Sequence, residues 1–241
     1  MHKYNTEGIV LKSTNYADKD KIYTILTRDY GKVRVLARGV RKITSRRAGN
    51  LDTLNYVSLK LTESSGFKNL DEAVVLESFR DIKNDLSISM SAYYLAEIVF
   101  RSVEEDDTSP EIFYLLLSTL KKLNQDTALT VNYFEVNLLK KLGYALNLDK
   151  CVVCERKMDN TWRSYSFNLD MGGFICNNCE GFGFKVFPDT VYMIQDLQKG
   201  KFPVTGAVQD VKVLKQVDSL IKGFVSDNLD VRFKSLELTD R

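Results

Sequence analysis

Histidine is nearly absent from this chain of 241 residues; His2 is the only one. A Ser-His-Asp or Cys-His catalytic set would have to use that terminal residue, which argues against nucleophilic catalysis of this type. Neither a Gly-x-x-x-x-Gly-Lys-Ser/Thr phosphate loop nor a Gly-x-Gly-x-x-Gly dinucleotide fingerprint occurs, and nothing in the sequence points to an enzyme. Proline is scarce, at three residues, and no Ser/Gly-rich or repeated segment suggests a long linker. No apolar run approaches the roughly 20 residues that span a bilayer. The first twenty residues lack the continuous apolar stretch of a signal peptide. The expectation is a cytoplasmic protein with no membrane partner, in which disulfides are rare and four cysteines serve another purpose.

Acidic residues are missing from one stretch in particular. "YGKVRVLARGVRKITSRR", residues 30–47, carries Lys32, Arg34, Arg38, Arg41, Lys42, Arg46 and Arg47 and no carboxylate, although the chain as a whole has a formal charge of only +2. Residues 1–81 hold 15 basic and 10 acidic side chains, residues 82–241 hold 19 and 22. Solvated faces usually mix signs, so this stretch reads as a nucleic-acid-binding surface for a phosphate backbone, with a solvated strand edge protected by lysine and arginine as the alternative.

The composition is that of a globular protein with a sizeable core: 44% hydrophobic and 27% charged. The first 80 residues read as strands. "YVSLKLT" alternates strictly, with Val57, Leu59 and Leu61 on one face. "EGIVLKS", "KIYTILT", "KVRVLAR" and "EAVVLESF" supply four more candidates, with turn signals at "ADKDK", "RDYGK" and "ESSGFKN". Five short strands suggest an OB-fold-like barrel over residues 1–80, although periodicity alone leaves an SH3-like barrel open. In "KVRVLAR" the period of two sends Val33, Val35 and Ala37 inward and Lys32, Arg34 and Arg38 outward. Tyr16, Tyr23, Tyr30 and Tyr56 lie near enough in sequence to stack on bases.

From about Asp81 the apolar period lengthens to that of helices. "SAYYLAEIVFRSV" carries a helical stripe, Ser109 and Pro110 form a helix start, and "NYFEVNLLKKLGY" ends on two lysines and Gly143. "DTVYMIQDLQKG" and "DVKVLKQVDSLIKGFV" read as two further helices. The acidic run Glu104–Asp107 between helices reads as a solvated loop. The fold class is therefore α+β: a barrel, then a mainly helical domain over residues 81–241 with a cysteine module inserted at 148–184.

That module holds all four cysteines, as "CVVC" (Cys151, Cys154) and "CNNC" (Cys176, Cys179) with 21 residues between the pairs. Each Cys-x-x-Cys turn offers two thiolates, and two such turns make the tetrahedral sulfur shell that Zn2+ favours. A rubredoxin-like iron site and a pair of redox dithiols are the competing readings. Four thiolates leave no open position for catalysis, so the metal would be one structural zinc. The segment between the pairs reads as a hairpin with Gly172 and Gly173 at its turn. Glu155 and Glu180 stand where knuckles commonly place glycine.

"GIVLKSTNYADKDKIYTILTRDYGKVRVLARGVRK" resembles the N-terminal region of the bacterial recombination and repair family RecO; "LLKKLGYALNLDKCVVC" and "SFNLDMGGFICNNC" resemble that family's zinc module. The order of barrel, helices, module and helices is similar over essentially the whole chain. The resemblance implies a non-enzymatic, nucleoid-associated recombination mediator that binds single- and double-stranded DNA and anneals complementary strands. It also implies action with RecR to help load RecA onto DNA coated by single-strand binding protein, SSB, whose C-terminal tail the family contacts. Two other function classes remain open in the sequence. An RNA-binding or ribosome-associated zinc-ribbon protein would show preference for RNA, and a protein–protein adaptor would bind no nucleic acid.

Overall fold

The computed structural model describes residues 2–41, 49–64, 67–159, 161–202 and 210–229. It forms two compact units, one ending at Asn124 and the other starting at Gln125. The first begins with β1 (His2–Tyr16), β2 (Asp20–Thr27), β3 (Gly31–Ala37), β4 (Tyr56–Ser64) and β5 (Phe67–Glu77), closed into a barrel in the order β1-β2-β3-β5-β4. This is the expected OB-fold-like arrangement.

Closure depends on β1 serving two neighbours. Its residues His2–Ile9 pair with β4, and Gly8–Tyr16 pair with β2. Gly8 sits where the two ladders overlap. A Cβ there would lie 2.6 Å from Ile25 Cγ2, so the close approach of β1 and β2 needs glycine. A register shift between Val10 and Lys12 adds the bulge that bends the strand around the barrel. The last seam is short and parallel, Val35 beside Lys68 and Leu36 beside Asn69. Alternation places Val10, Ile25, Val33, Val35, Val57, Leu59 and Leu61 in one core, each fully buried aliphatic side chain stabilising the fold by about 1.5–3 kcal/mol.

Three helices share this unit: α1 (Arg80–Asn84), α2 (Leu86–Ser102) and α3 (Pro110–Lys122). Asp85 caps α2 by accepting from the Ile88 amide at 3.0 Å. Ser109 does precede Pro110 at the start of α3, but its hydroxyl donates to Asp107 at 3.0 Å and caps nothing. The change from strand to helix falls near residue 80, yet α1 to α3 belong with the barrel because α2 and α3 pack on its strands.

The side chains of the acidic run are exposed, as a solvated loop requires, but its backbone is also paired with β3. The Asp106 amide donates to the Lys32 carbonyl at 3.0 Å, and Glu105 forms a parallel bridge with Lys32. The segment thus covers the edge of β3 that the short β5 seam leaves unpaired, which satisfies a backbone acceptor there. Gly31, at φ +64°, permits the approach: a Cβ would lie 2.0 Å from the Asp107 carbonyl oxygen.

The second unit packs α4 (Thr127–Lys141), α5 (Pro188–Gln198) and α6 (Val211–Leu229) around buried Phe134, Val191, Ile194 and Val217. Asp126 caps α4 through the Leu129 amide, and Gly143, at φ +92°, follows its last turn. A small antiparallel sheet, β6 (Tyr165–Asn168), β7 (Gly173–Cys176) and β8 (Phe184–Val186), has the order β7-β6-β8. The predicted hairpin is present. Gly172 holds φ +59° in its turn, and Gly173 leaves no room for a Cβ beside the Asn147 carbonyl. Among the described residues no helix is long and apolar enough to cross a membrane.

Candidate nucleic-acid interface and metal centre

The seven basic residues do not share one environment. Arg34 projects from the outer face of β3, and Arg38 and Arg41 follow in the turn that leaves it; all three are exposed. This turn is stitched to the β1–β2 turn. The Gly39 amide donates to Asp20 Oδ1 at 2.7 Å, the Arg41 amide to the Lys19 carbonyl at 3.0 Å, and the Arg41 guanidinium to the Ala17 carbonyl at 3.3 Å. Exposed Lys19 joins them there, a contribution invisible in the sequence because it depends on which turns meet. Lys42, Arg46 and Arg47 lie outside the described residues.

Lys32 departs from expectation. The strand period predicts it on the outer face with Arg34, but it is only 7% exposed. Its Nζ donates to the Phe100 carbonyl on α2 at 2.7 Å and lies 5.3 Å from that residue's ring centre. Burial pushes its pKa below the ordinary lysine value, with Glu105 and Glu104 opposing the shift. The strand period assigned its face correctly, but α2 covers that part of the face. Lys32 is therefore a packing residue.

The tyrosines also separate. Tyr23 is buried in the barrel core, Tyr30 packs on Tyr4 with ring centres 4.4 Å apart, and the Tyr56 hydroxyl donates to Glu7. Only Tyr16 of the four presents a largely open ring, at 46% exposure. It stands beside Arg34, and Lys68 from β5 reaches the same region through the parallel seam. Two carboxylates of the docked acidic segment face these cations. Glu105 Oε1 lies 4.0 Å from Arg34 Nε, and Asp106 Oδ1 lies 2.5 Å from Lys68 Nζ.

The second site is built by the two cysteine turns, the second leaving β7 at Cys176. The four Sγ atoms lie within 4.8 Å of one another. Cys154 Sγ and Cys176 Sγ are 3.7 Å apart, whereas a disulfide would need about 2.05 Å. Four sulfurs at about 2.3 Å from a central Zn2+ have tetrahedral edges of about 3.8 Å. The spacing is therefore compatible with a zinc site.

Local hydrogen bonding favours the anionic form of Cys151. Burial raises the Cys151 thiol pKa, but the amides of Cys176, Cys154 and Val153, with the Cys154 side chain, outweigh it and bring the value down to about 6. The Cys176 amide donates directly to Cys151 Sγ at 3.4 Å. Burial, with the neighbouring thiols Cys154 and Cys176, pushes Cys179 up to about 12. Thiolates crowded this closely repel one another, and a bound cation removes the repulsion. Glu155, at the glycine position, adopts a left-handed φ of +61° and pairs with Lys150 at 3.4 Å.

Residues 1–79 match the model for the N-terminal domain of recombination protein O, and residues 83–237 match the model for its C-terminal domain. The chain belongs to the RecO family. Among similar proteins, the DNA repair protein RecO of Dehalococcoides mccartyi is 33% identical over 205 residues, covering 83% of this chain and 80% of its own. That of Bacillus subtilis is 36% identical over 175 residues, covering 72% and 67%. That of Thermoanaerobacter sp. is 28% identical over 242 residues, covering 98% and 96%. The RecO assignment accounts for the order of elements along the whole chain.

Proposed function

We propose that this RecO-family chain acts in DNA repair as a recombination mediator, with the barrel of residues 1–80 binding single- and double-stranded DNA through phosphate contacts. The observation that carries the reading is the exposed run Arg34, Arg38 and Arg41, which leaves β3 and is stitched to the β1–β2 turn. In OB-folds the face of strands 2 and 3 and the first loop are where oligonucleotides lie. Lys42, Arg46 and Arg47 extend the same run in sequence. Neutralising phosphates lowers the repulsion between two complementary strands, and contacts to phosphate leave most base edges free to pair. Annealing follows without any bond being made or broken, so the reading is of a protein that is not an enzyme.

The four cysteines hold one structural Zn2+ in this reading, fixing the sheet of the second unit. RecR and the C-terminal tail of SSB are the proposed protein partners, with RecA loading on coated strands as the outcome, in the cytoplasm at the nucleoid. The family relationship supports these partners.

The test is binding and annealing of complementary oligonucleotides, bare and SSB-coated, over a salt series. Replacing Arg38 and Arg41 with alanine should weaken single-strand binding and reduce the salt slope by about 1.4, since each phosphate contact contributes about 0.7. Unchanged affinity and slope would remove these residues from the interface. Absence of binding to either DNA form would end the mediator reading in favour of a protein adaptor.

A further inference from the structure

The barrel face beside Arg34 is concave. A cleft of about 380 Å3 opens there, within the range of about 300–1,000 Å3 that small-molecule sites occupy. Its floor is apolar: Ile22 on β2 lies opposite Leu36 on β3 in the strand register, and Tyr16, at the end of β1, forms one wall. Its rim alternates in charge, with Arg34 and Lys68 facing Glu105 and Asp106.

The rim is held by backbone. Asp106 donates its amide to Lys32, Glu105 bridges the same residue, and Gly31 admits Asp107 at a distance no other residue would allow. The carboxylates are thus positioned by the fold. Arg34 and Glu105, at 4.0 Å, are too far apart for a full hydrogen bond, so both retain capacity for a ligand.

This lining selects among ligands. Glu105 and Asp106 would repel a phosphate seated in the cleft, and a purely apolar group would strand four charged side chains. A planar ring with apolar faces and an edge of mixed donors and acceptors matches floor, wall and rim together. We propose that the cleft takes one unstacked base of a bound single strand, its face on Tyr16 and its edge against Glu105, Asp106 and Arg34. The inference rests on the reading that the barrel binds single-stranded DNA.

The chemistry predicts a preference. Carboxylate oxygens accept hydrogen bonds and donate none. Cytosine offers its N4 amino group to such an acceptor, with N3 and O2 free for a guanidinium. Carboxylate acceptance from cytosine N4 is an established pairing. Thymine presents one N–H flanked by two carbonyl oxygens, which would face the carboxylates unfavourably. The cleft therefore favours a base bearing an amino group over thymine, while the phosphates on either side follow Arg38 and Arg41.

Fluorescence anisotropy with oligo(dC) and oligo(dT) of equal length, at mildly alkaline pH, tests this with the full chain. Wild-type protein should bind oligo(dC) about fivefold more tightly, the lower end of discrimination by one base contact. In the Glu105→Gln, Asp106→Asn variant the ratio should fall to about one, while both strands bind more tightly because two negative charges are gone. Asn tolerates the left-handed φ of +61° at position 106, so the segment keeps its path. Tyr16→Ala should weaken binding of both strands by about fivefold or more through lost stacking. A wild-type ratio near one, or a ratio that survives in the double variant, overturns the base site even if salt-sensitive binding persists. Binding of neither strand by the wild type overturns the DNA-binding reading itself.

Discussion

Val10, Ile25, Val35, Val57 and Leu59 meet inside a closed barrel whose strands run from 7 to 15 residues. The sheet beside the thiols has strands of four, four and three residues. The barrel has enough apolar area to hold itself together, and its glycines and bulge serve closure. The cysteine sheet buries Phe167 and Phe174, a smaller apolar set than that of the barrel core. Four convergent thiols supply the missing cross-link when they share a metal. If the proposed zinc is bound, one region is stabilised by burial and the other by coordination, and the two should respond differently to the same treatments.

The largest expected effect is metal removal. Chelation at neutral pH, or Cys151→Ser with Cys176→Ser, should cost the cysteine sheet stabilisation on the order of 10 kcal/mol. Amide exchange should then show β6 to β8 losing protection while β1 to β5 keep theirs. Equal loss in both regions would break the contrast, and no loss in either would argue against a structural metal.

Alkaline pH should act on the barrel. Burial, followed by the carboxylate of Glu63, pushes Tyr4 up to about 12. Burial and the hydrogen bond to Glu7 do the same for Tyr56. Their ordinary value is about 10. A raised folded pKa means that the protonated forms stabilise the fold: the contribution is complete below about pH 10 and is lost as pH rises through about 12. Thermal melts of the barrel should decline across that window. The Tyr4→Phe, Tyr56→Phe variant should show a shallower decline, and an identical one would assign the effect to other groups.

The smallest effect concerns the cysteine turn itself. Glu155→Gly relieves a left-handed backbone at the cost of an exposed pair with Lys150. Such a backbone costs a non-glycine residue about 1–2 kcal/mol, and an exposed ion pair contributes less than about 1. The variant should gain roughly 1 kcal/mol in chelator resistance, measured by competition for the metal. A loss would mean that the Glu155 side chain contributes more than its ion pair.

Much of the site was legible in the sequence because its signals are local. The four cysteines needed only their spacing to be recognised, and the inward positions of β4 followed from a period of two. Gly172 and Gly173 mark the hairpin turn by residue type, which is a local signal as well. Lys32 was misplaced because a strand period reports which face a side chain takes and says nothing of what covers it. Among the tyrosines, composition made four equivalent and packing left one open. The acidic run is exposed as its composition predicts, but its backbone pairing is not legible locally because the partner, Lys32, is more than 70 residues away in the chain.

What the sequence alone determined is therefore the kind of protein: strands first, helices after, a thiol cluster with metal spacing and a cationic stretch, all set by patterns within a few residues of each other. What tertiary structure decided is which charges face solvent and what stands beside them. The parallel β3–β5 seam brings Lys68 to Arg34, α2 covers Lys32, and the segment 104–107 sets carboxylates at the edge of a cationic face. Each of these depends on pairing between distant segments, and barrel closure brings those segments together.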